Sequence, residues 1–361
     1  MSRQYHNPVK IYFGIGELQN LKAILNGRKA YLVIFPEARN LGLLEKIQKI
    51  LGDLLIGIEE NVFPNPDVSN LKEGYHKFWA NYSDANVILA VGGGSVIDTA
   101  KSLMVGTKNK CFDDLVNLLS KGSSFEPYEV RPLIAIPTTA GTGSEVTPWA
   151  TIWDKENSKK YSLHLHETWP EAAIIDPQLM LSLPGGVTLQ SGLDALSHAL
   201  EAIWNRNANP ISDTFGVSAA RDVIKVLPKL MLDLSNVHLR TDMALAALKA
   251  GMAFSNTKTA LAHSISYDMT LNHGLPHGIA CSFTLPMVLS KAIGHSSDRD
   301  LVLSQIFDCS IQKAPEKLLN FLHELGVKTE FHDYGVSALE ANLMINKALE
   351  GVRGKNFIGA I

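Results

Sequence analysis

Short apolar runs rich in β-branched residues alternate with amphipathic stretches through the first half of the chain. Ala30-Tyr31-Leu32-Val33-Ile34, the run from Asn86 to Val91, and Leu133-Ile134-Ala135-Ile136 show no polar alternation, so each reads as a strand covered on both faces. Leu41 to Leu54 instead spaces its apolar residues on a 3.6 period, the mark of a helix with one face against a core. Strands separated by helices predict βαβ units and a mostly parallel sheet. The texture changes after Asp176-Pro177. From about Leu189 the spacing is helical, as in Thr241 to Phe254, and strand-like runs are nearly absent. The pattern predicts an α/β domain over residues 1–180 and an all-helical domain over 181–361, with Leu183-Pro184-Gly185-Gly186 as the intervening loop.

A chain of 361 residues, 46% of them hydrophobic, is long enough for two such cores. Its formal charge of −3 lacks the basic excess of a nucleic-acid binder. No apolar run reaches the roughly 18–20 residues that a bilayer crossing needs, so no membrane partner is expected. The opening MSRQYHNPVKIYFG has no apolar export core, which predicts a cytoplasmic protein. Cys111, Cys281 and Cys309 stand far apart, which argues against both a disulfide framework and a thiolate metal site.

Two loops carry candidate chemistry in the first domain. Val91-Gly92-Gly93-Gly94-Ser95 follows a strand, and Val96 to Lys101 reads as the helix it opens. Glycines admit close backbone approach, and the free N–H groups at a helix start suit a pyrophosphate. The plainer reading is a Gly-rich turn capped by Ser95. Pro137-Thr138-Thr139-Ala140-Gly141-Thr142-Gly143-Ser144-Glu145 leaves another strand and is crowded with small hydroxyl residues. Such residues bond phosphate, ribose or carboxamide groups, or merely close local turns. Two such loops at the carboxyl ends of parallel strands favour a nucleotide crevice.

The second domain carries a candidate metal site. Asp194 and His198, four residues apart, share one helical face and can chelate a cation, although a simple ion pair has the same spacing. His263, His273 and His277 follow, the last at a Pro276-His277-Gly278 turn. One carboxylate with three imidazoles makes a mixed oxygen and nitrogen set suited to Fe²⁺, Zn²⁺, Mn²⁺ or Co²⁺. Such a centre polarises a carbonyl or alkoxide as a Lewis acid.

Taken together, Gly92 to Lys101, Pro137 to Glu145, Ile175-Asp176-Pro177, Gly192 to Ala202 and Pro276-His277-Gly278 resemble the iron-containing (group III) alcohol dehydrogenase family. The resemblance implies a Rossmann-like dinucleotide-binding α/β domain with an all-α metal-binding domain, assembled as a homodimer. It implies NAD- or NADP-dependent interconversion of small alcohols and aldehydes at Fe²⁺, with Zn²⁺ as the alternative metal. The ligands carried over are Asp194, His198, His263 and His277, and the family's fourteen-residue interval between the last two leaves His273 as a wall or a satisfied histidine. Cofactor contacts carry over to Asn65, Gly93, Gly94, Ser95, Asp98, Thr138, Thr139, Thr142 and Lys160, the last beside Lys159.

The chain departs from the family in three places. Tyr267 stands where many members carry a further histidine, so the proton is expected to travel through water, ribose hydroxyls or Tyr267. Trp149 and Trp153 make the segment after the threonine loop bulkier, and the chain ends at Ile361, somewhat short of many members. After the second strand, Glu37 can hold a ribose hydroxyl as NAD requires, whereas Arg39 can meet a 2′-phosphate; the reading leans to NADP.

Lys258, five residues before His263, suits an aldehyde with an anionic tail, and its surroundings look like the branch that reduces phosphonoacetaldehyde. Arg206, Arg353 and Lys355 are further anion candidates, the last two reading better as solvated surface charges. The expected mechanism is direct hydride transfer between nicotinamide and a metal-bound carbonyl, aligned by domain closure. A lyase similar to 3-dehydroquinate synthase and a non-catalytic nucleotide or metal sensor stand as alternatives.

Overall fold

The computed structural model describes residues 4–121, 125–157 and 159–360. Backbone contacts divide them into two units, an α/β unit of residues 8–139 and 144–182 and a helical unit of residues 4–7, 140–143 and 183–360.

The α/β unit contains β1 (Lys10–Phe13), α1 (Leu21–Leu25), β2 (Ala30–Ile34), α2 (Leu43–Leu51), β3 (Leu55–Glu59), α3 (Val68–Asn81), β4 (Val87–Gly92), α4 (Gly94–Leu103), β5 (Val105–Gly106), α5 (Phe112–Lys121), β6 (Glu129–Val130), β7 (Leu133–Pro137), β8 (Trp149–Asp154), β9 (Lys159–His164) and β10 (Ala172–Ile175). Six strands form a parallel sheet in the order β1-β10-β7-β4-β2-β3. Both of its faces are covered. Tyr31, Val33, Ile88, Ala90, Leu133 and Ala135 pack with Tyr75, Phe78 and Trp79 of α3. The alternate residues Leu32, Ile34, Leu89, Val91, Ile134 and Ile136 pack with Leu44 and Ile47 of α2. Every position of β2, β4 and β7 is therefore apolar, which is why these strands show no alternation.

Register places the functional loops side by side. Gly92 is opposite Pro137, and the Thr138 N–H donates to the Gly92 carbonyl at 3.0 Å. β2 continues outward to β3, whereas β4 leads to β7 on its other side. Their following loops diverge at the carboxyl ends of the strands, the switch point where open α/β sheets bind ligands. An antiparallel hairpin, β8 with β9, follows the threonine loop and sets Lys160 opposite Trp153.

The helical unit contains α6 (Gly185–Ile203), α7 (Pro210–Leu232), α8 (Val237–Thr257), α9 (Leu261–His273), α10 (His277–Ser282), α11 (Leu285–Ala292), α12 (Ser297–Phe307), α13 (Ala314–Glu324) and α14 (Ala338–Glu350). Caps fix the long helices: Asn209 accepts from the Ile211 and Ser212 N–H groups with Pro210 in the first turn, and Asn236 does the same for His238 and Leu239. α6 is the centre of this unit, packed by α7, α8 and α10, and residues 192–203 are all buried. A helix buried all round is ordinarily apolar, yet this one carries Asp194, Ser197, His198 and Glu201 inside. Among the described residues, no helix is long and apolar enough to cross a membrane.

Candidate metal centre and cofactor cradle

Asp194, His198 and Glu201 recur at four and then three residues along α6, so one buried stripe presents all three side chains. α9 begins against this stripe. Glu201 Oε2 accepts the Ala260 N–H (3.0 Å), and Oε1 accepts those of Ala262 (2.6 Å) and His263 (3.2 Å). One carboxylate thus satisfies three donors at a helix start, where the backbone leaves N–H groups unpaired and negative charge is favoured. The same Oε2 takes the His263 Nδ1 proton at 2.6 Å. The chain fold therefore selects the His263 tautomer with its lone pair on Nε2.

That Nε2 is buried and has no hydrogen-bond partner. It lies 3.4 Å from Asp194 Oδ1, out of line for a hydrogen bond. His277 Nε2 approaches the same Oδ1 to 3.8 Å, and His198 Nδ1 to 3.9 Å. An orphaned imidazole nitrogen, held by a carboxylate behind it and facing a second carboxylate, fits a metal ion: carboxylate–histidine–metal chains use this arrangement. Asp194, His263 and His277 would hold the ion, with donor atoms within 4.8 Å of one another and of Cys281 Sγ. His198 adjoins this tightest group. Its ring stacks on Phe254 (centroids 4.0 Å apart) and on His263 (4.5 Å), with Nδ1 3.4 Å from the Gly141 carbonyl.

The charges agree with that fit. Burial alone would raise the Asp194 carboxyl, but the imidazoles around it, His198 foremost, hold it well below the usual carboxylate range. Burial drives His198 down to about 4, so it stays neutral and keeps a lone pair. For His263 burial opposes a positive charge, and Glu201 with Asp194 outweighs it, raising the imidazole. Two buried carboxylates thus favour a positive charge at Nε2, whether a proton or a metal ion.

His277 reaches the cluster because of the next residue. A Cβ on Gly278 would sit 1.9 Å from the Gln190 carbonyl oxygen, so only glycine lets α10 close on α6. One turn further, the Cys281 thiol donates to Asp194 Oδ1 at 3.4 Å, and burial pushes that thiol well above its ordinary range. The sequence argues against a thiolate metal site, and Cys281 is here a thiol. A cysteine touches a ligand, as a protonated donor rather than a thiolate. His273 ends α9 with Nε2 3.2 Å from Glu340 Oε1, a satisfied histidine outside the donor group.

In the α/β unit, α4 starts directly from the glycine loop. A Cβ on Gly92 would meet Val96 Cγ2 at 2.4 Å, so glycine is what allows so tight a strand-to-helix turn. Gly93 lies against Thr139, and the Asn65 N–H, at a left-handed residue (φ 59°), donates to Ser95 Oγ at 3.2 Å. Gly93, Gly94, Ser95, Asn65, Thr138 and Thr139 thereby border one helix start. Thr142 falls in the 140–143 segment that packs with the helical unit.

Asp98 is differently employed. Its Oδ1 accepts from Ser144 Oγ (2.7 Å) and its Oδ2 from the Thr151 N–H (2.9 Å). Beside it, Lys101 Nζ donates to the carbonyls of Ser144, Thr147 and Trp149 at 2.6–2.7 Å, although burial lowers its ammonium to about 8. Together they fasten the segment after the threonine loop to α4. Lys160 is half-buried, with Nζ 4.9 Å from the Trp153 ring, while Lys159 is exposed. Trp149 stacks on His164 at 3.8 Å.

Lys258 is exposed at the end of α8, with a positive φ of 67° and its carbonyl accepting from Asn205 Nδ2. Arg206 is spent on the carbonyls of Phe357 and Ala360, and Lys355 is exposed. Arg353, read from sequence as a solvated charge, is half-buried with its guanidinium 4.8 Å from the Tyr267 ring centroid. Arg39 grips Glu60 with two hydrogen bonds (2.6 and 3.2 Å), which removes the basis for leaning to NADP. Glu201 was overlooked as a participant because its role depends on α9, 59 residues away in sequence. Its available signal was the i, i+4, i+7 spacing with Asp194 and His198.

Models of known families match nearly the whole chain: "iron-containing alcohol dehydrogenase" over residues 8–177, and "Fe-containing alcohol dehydrogenase family, C-terminal" over residues 188–359. The NAD-dependent methanol dehydrogenase of Bacillus methanolicus is 31% identical, over 91% of this chain and 87% of that one. The 1,3-propanediol dehydrogenase of Citrobacter freundii is 32% identical, over 91% and 86%. A solved structure of sulfoacetaldehyde reductase from Bifidobacterium kashiwanohense in complex with NAD⁺ superposes with a TM-score of 0.91 at 27% identity, covering 99% of this chain and 94% of that one. With its parallel-sheet unit, its helical unit and this donor cluster, the chain belongs to the iron-containing alcohol dehydrogenase family.

Proposed function

We propose that this protein reduces a small aldehyde carrying an anionic tail to the alcohol, with hydride from NADH, and that it does so as a cytoplasmic homodimer. The observation that carries the reading is the orphaned Nε2 of His263, backed by Glu201 and facing Asp194 and His277. When bound there, a divalent ion supplies Lewis-acid polarisation of the carbonyl oxygen. Asp194, His263 and His277 would hold that ion, with His198 beside them, and Glu201 keeps the His263 lone pair directed at it. The start of α4, with Gly93, Gly94 and Ser95, offers N–H groups to the cofactor pyrophosphate. Tyr267, one turn beyond His263 on α9, would move a proton at the alcohol oxygen. NADH is favoured over NADPH because a 2′-phosphate at Arg39 would meet the Glu60 carboxylate.

Membership of an oxidoreductase family sets aside the lyase and sensor readings. The anionic tail is supported by the likeness to sulfoacetaldehyde reductase. The test is NADH oxidation by Fe²⁺-loaded protein with sulfoacetaldehyde, phosphonoacetaldehyde and propanal. Turnover should vanish on chelation, return with Fe²⁺ and favour the anionic aldehydes. Full turnover by metal-stripped protein refutes the metal assignment, and equal kcat/KM for all three aldehydes refutes the anionic tail.

A further inference from the structure

Arg353 is the one arginine among the described residues whose guanidinium makes neither a hydrogen bond nor an ion pair. The others are engaged: Arg28 with Glu171, Arg39 with Glu60 and Arg299 with Asp213 by paired contacts, and Arg206 and Arg240 with carbonyls. Its guanidinium carbon lies over the Tyr267 ring, 4.8 Å from the centroid. A guanidinium has five N–H donors, and leaving them unmet in a half-buried position is costly. Its nitrogens are also absent from the buried polar atoms that lack partners, so they keep access to solvent or ligand.

The position is built rather than incidental. Arg353 opens a short turn, residues 354–356, whose Asn356 Nδ2 donates to the Thr259 carbonyl at 2.9 Å and whose Asn356 carbonyl accepts from the Arg206 N–H at 2.7 Å. Asn205 and Phe357 add a β-bridge. The backbone bearing Arg353 is thus tied to the ends of α6 and α8. Tyr267 lies four residues after His263 on α9, so the two side chains share a face about one turn apart. Arg353 stacked on that tyrosine sets a positive charge next to the metal face. Burial lowers the guanidinium to about 10, which still leaves it charged at neutral pH. The carboxylate acting on it, Glu201, is already saturated by His263 and three backbone donors.

We propose that Arg353, seated on Tyr267, is the specificity residue that binds the anionic group of the substrate, a tetrahedral sulfonate or phosphonate, through its unpartnered N–H fork. The inference rests on the anionic-aldehyde reading and replaces Lys258 in that role. Planar forks suit such oxyanions because two parallel N–H···O bonds form at once.

The experiment compares wild type, Arg353→Lys and Arg353→Ala, all Fe²⁺-loaded. For sulfoacetaldehyde and for phosphonoacetaldehyde, kcat/KM relative to propanal should fall about 100-fold or more in Arg353→Ala, mostly through KM. Arg353→Lys should recover only part of it. Whichever of the two aldehydes shows the larger ratio in wild type identifies sulfonate or phosphonate as the preferred anion. In parallel, ethanesulfonate is tested as a competitive inhibitor of propanal reduction. It should inhibit wild type and lose about 100-fold in Arg353→Ala.

A wild type with no preference for anionic aldehydes defeats the anionic-tail reading. A preference that survives in Arg353→Ala, or ethanesulfonate inhibition independent of Arg353, overturns this inference alone. An equal loss on all aldehydes in both variants marks Arg353 as structural and also overturns it.

Discussion

Replacing Glu201 by Gln keeps size and shape and removes only the charge and one acceptor. In the wild type Oε1 receives two backbone N–H groups, while Oε2 receives one backbone N–H and the His263 Nδ1 proton. An amide offers one oxygen. If its NH₂ takes the Oε2 place, it faces Ala260 N–H and drives His263 to the other tautomer, putting a proton on Nε2 where the metal needs a lone pair. If it takes the Oε1 place, the N–H groups of Ala262 and His263 both lose their acceptor. Either way about two buried donors are stranded, at roughly 1–3 kcal/mol each, so the metal-free protein should lose about 2–6 kcal/mol. Loss of such a supporting carboxylate typically costs about 10–100-fold in metal affinity. The assay is competition of Glu201→Gln and wild type against a chromogenic chelator with Zn²⁺ or Co²⁺, alongside urea melts of the metal-free forms. Unchanged affinity with unchanged stability would refute the claim that Glu201 sets the His263 tautomer and caps α9.

Other expectations follow from the same contacts. Gly278→Ala places a methyl 1.9 Å from the Gln190 carbonyl oxygen, so α10 must shift and carry His277 away; metal content after purification should drop sharply, and a full complement would contradict the packing argument. Lys101→Met strands three carbonyls in the α/β unit, for a loss of about 3–5 kcal/mol read as a lower urea midpoint. The Co²⁺-loaded protein should show visible d–d bands without sulfur-to-cobalt charge transfer in the near ultraviolet, because the Cys281 thiol donates to Asp194 instead of ligating. A band that disappears in Cys281→Ser would reverse that assignment.

The sequence alone determined the central strands, because a strand buried on both faces must be apolar at every position, as β2, β4 and β7 are. It also located the glycine and threonine loops, whose chemistry depends on local backbone freedom and small hydroxyls. The Asp194 and His198 pair was legible for the same reason, since helical periodicity by itself puts them on one face. The edge strands β1 and β3 were not, because half-covered strands with exposed or interrupted positions carry a weak pattern.

Only the tertiary structure decided which distant groups meet. Glu201 reaches His263, Cys281 reaches Asp194, and Arg353 reaches Tyr267 across 62 to 87 residues of chain. It also decided which charges are already spent, since Arg39 and Arg206 look no different from Arg353 in the sequence until their partners are seen. Periodicity encodes the face a residue occupies. Whether a buried charge finds a partner is a property of the other elements packed against that face, and no local pattern carries it.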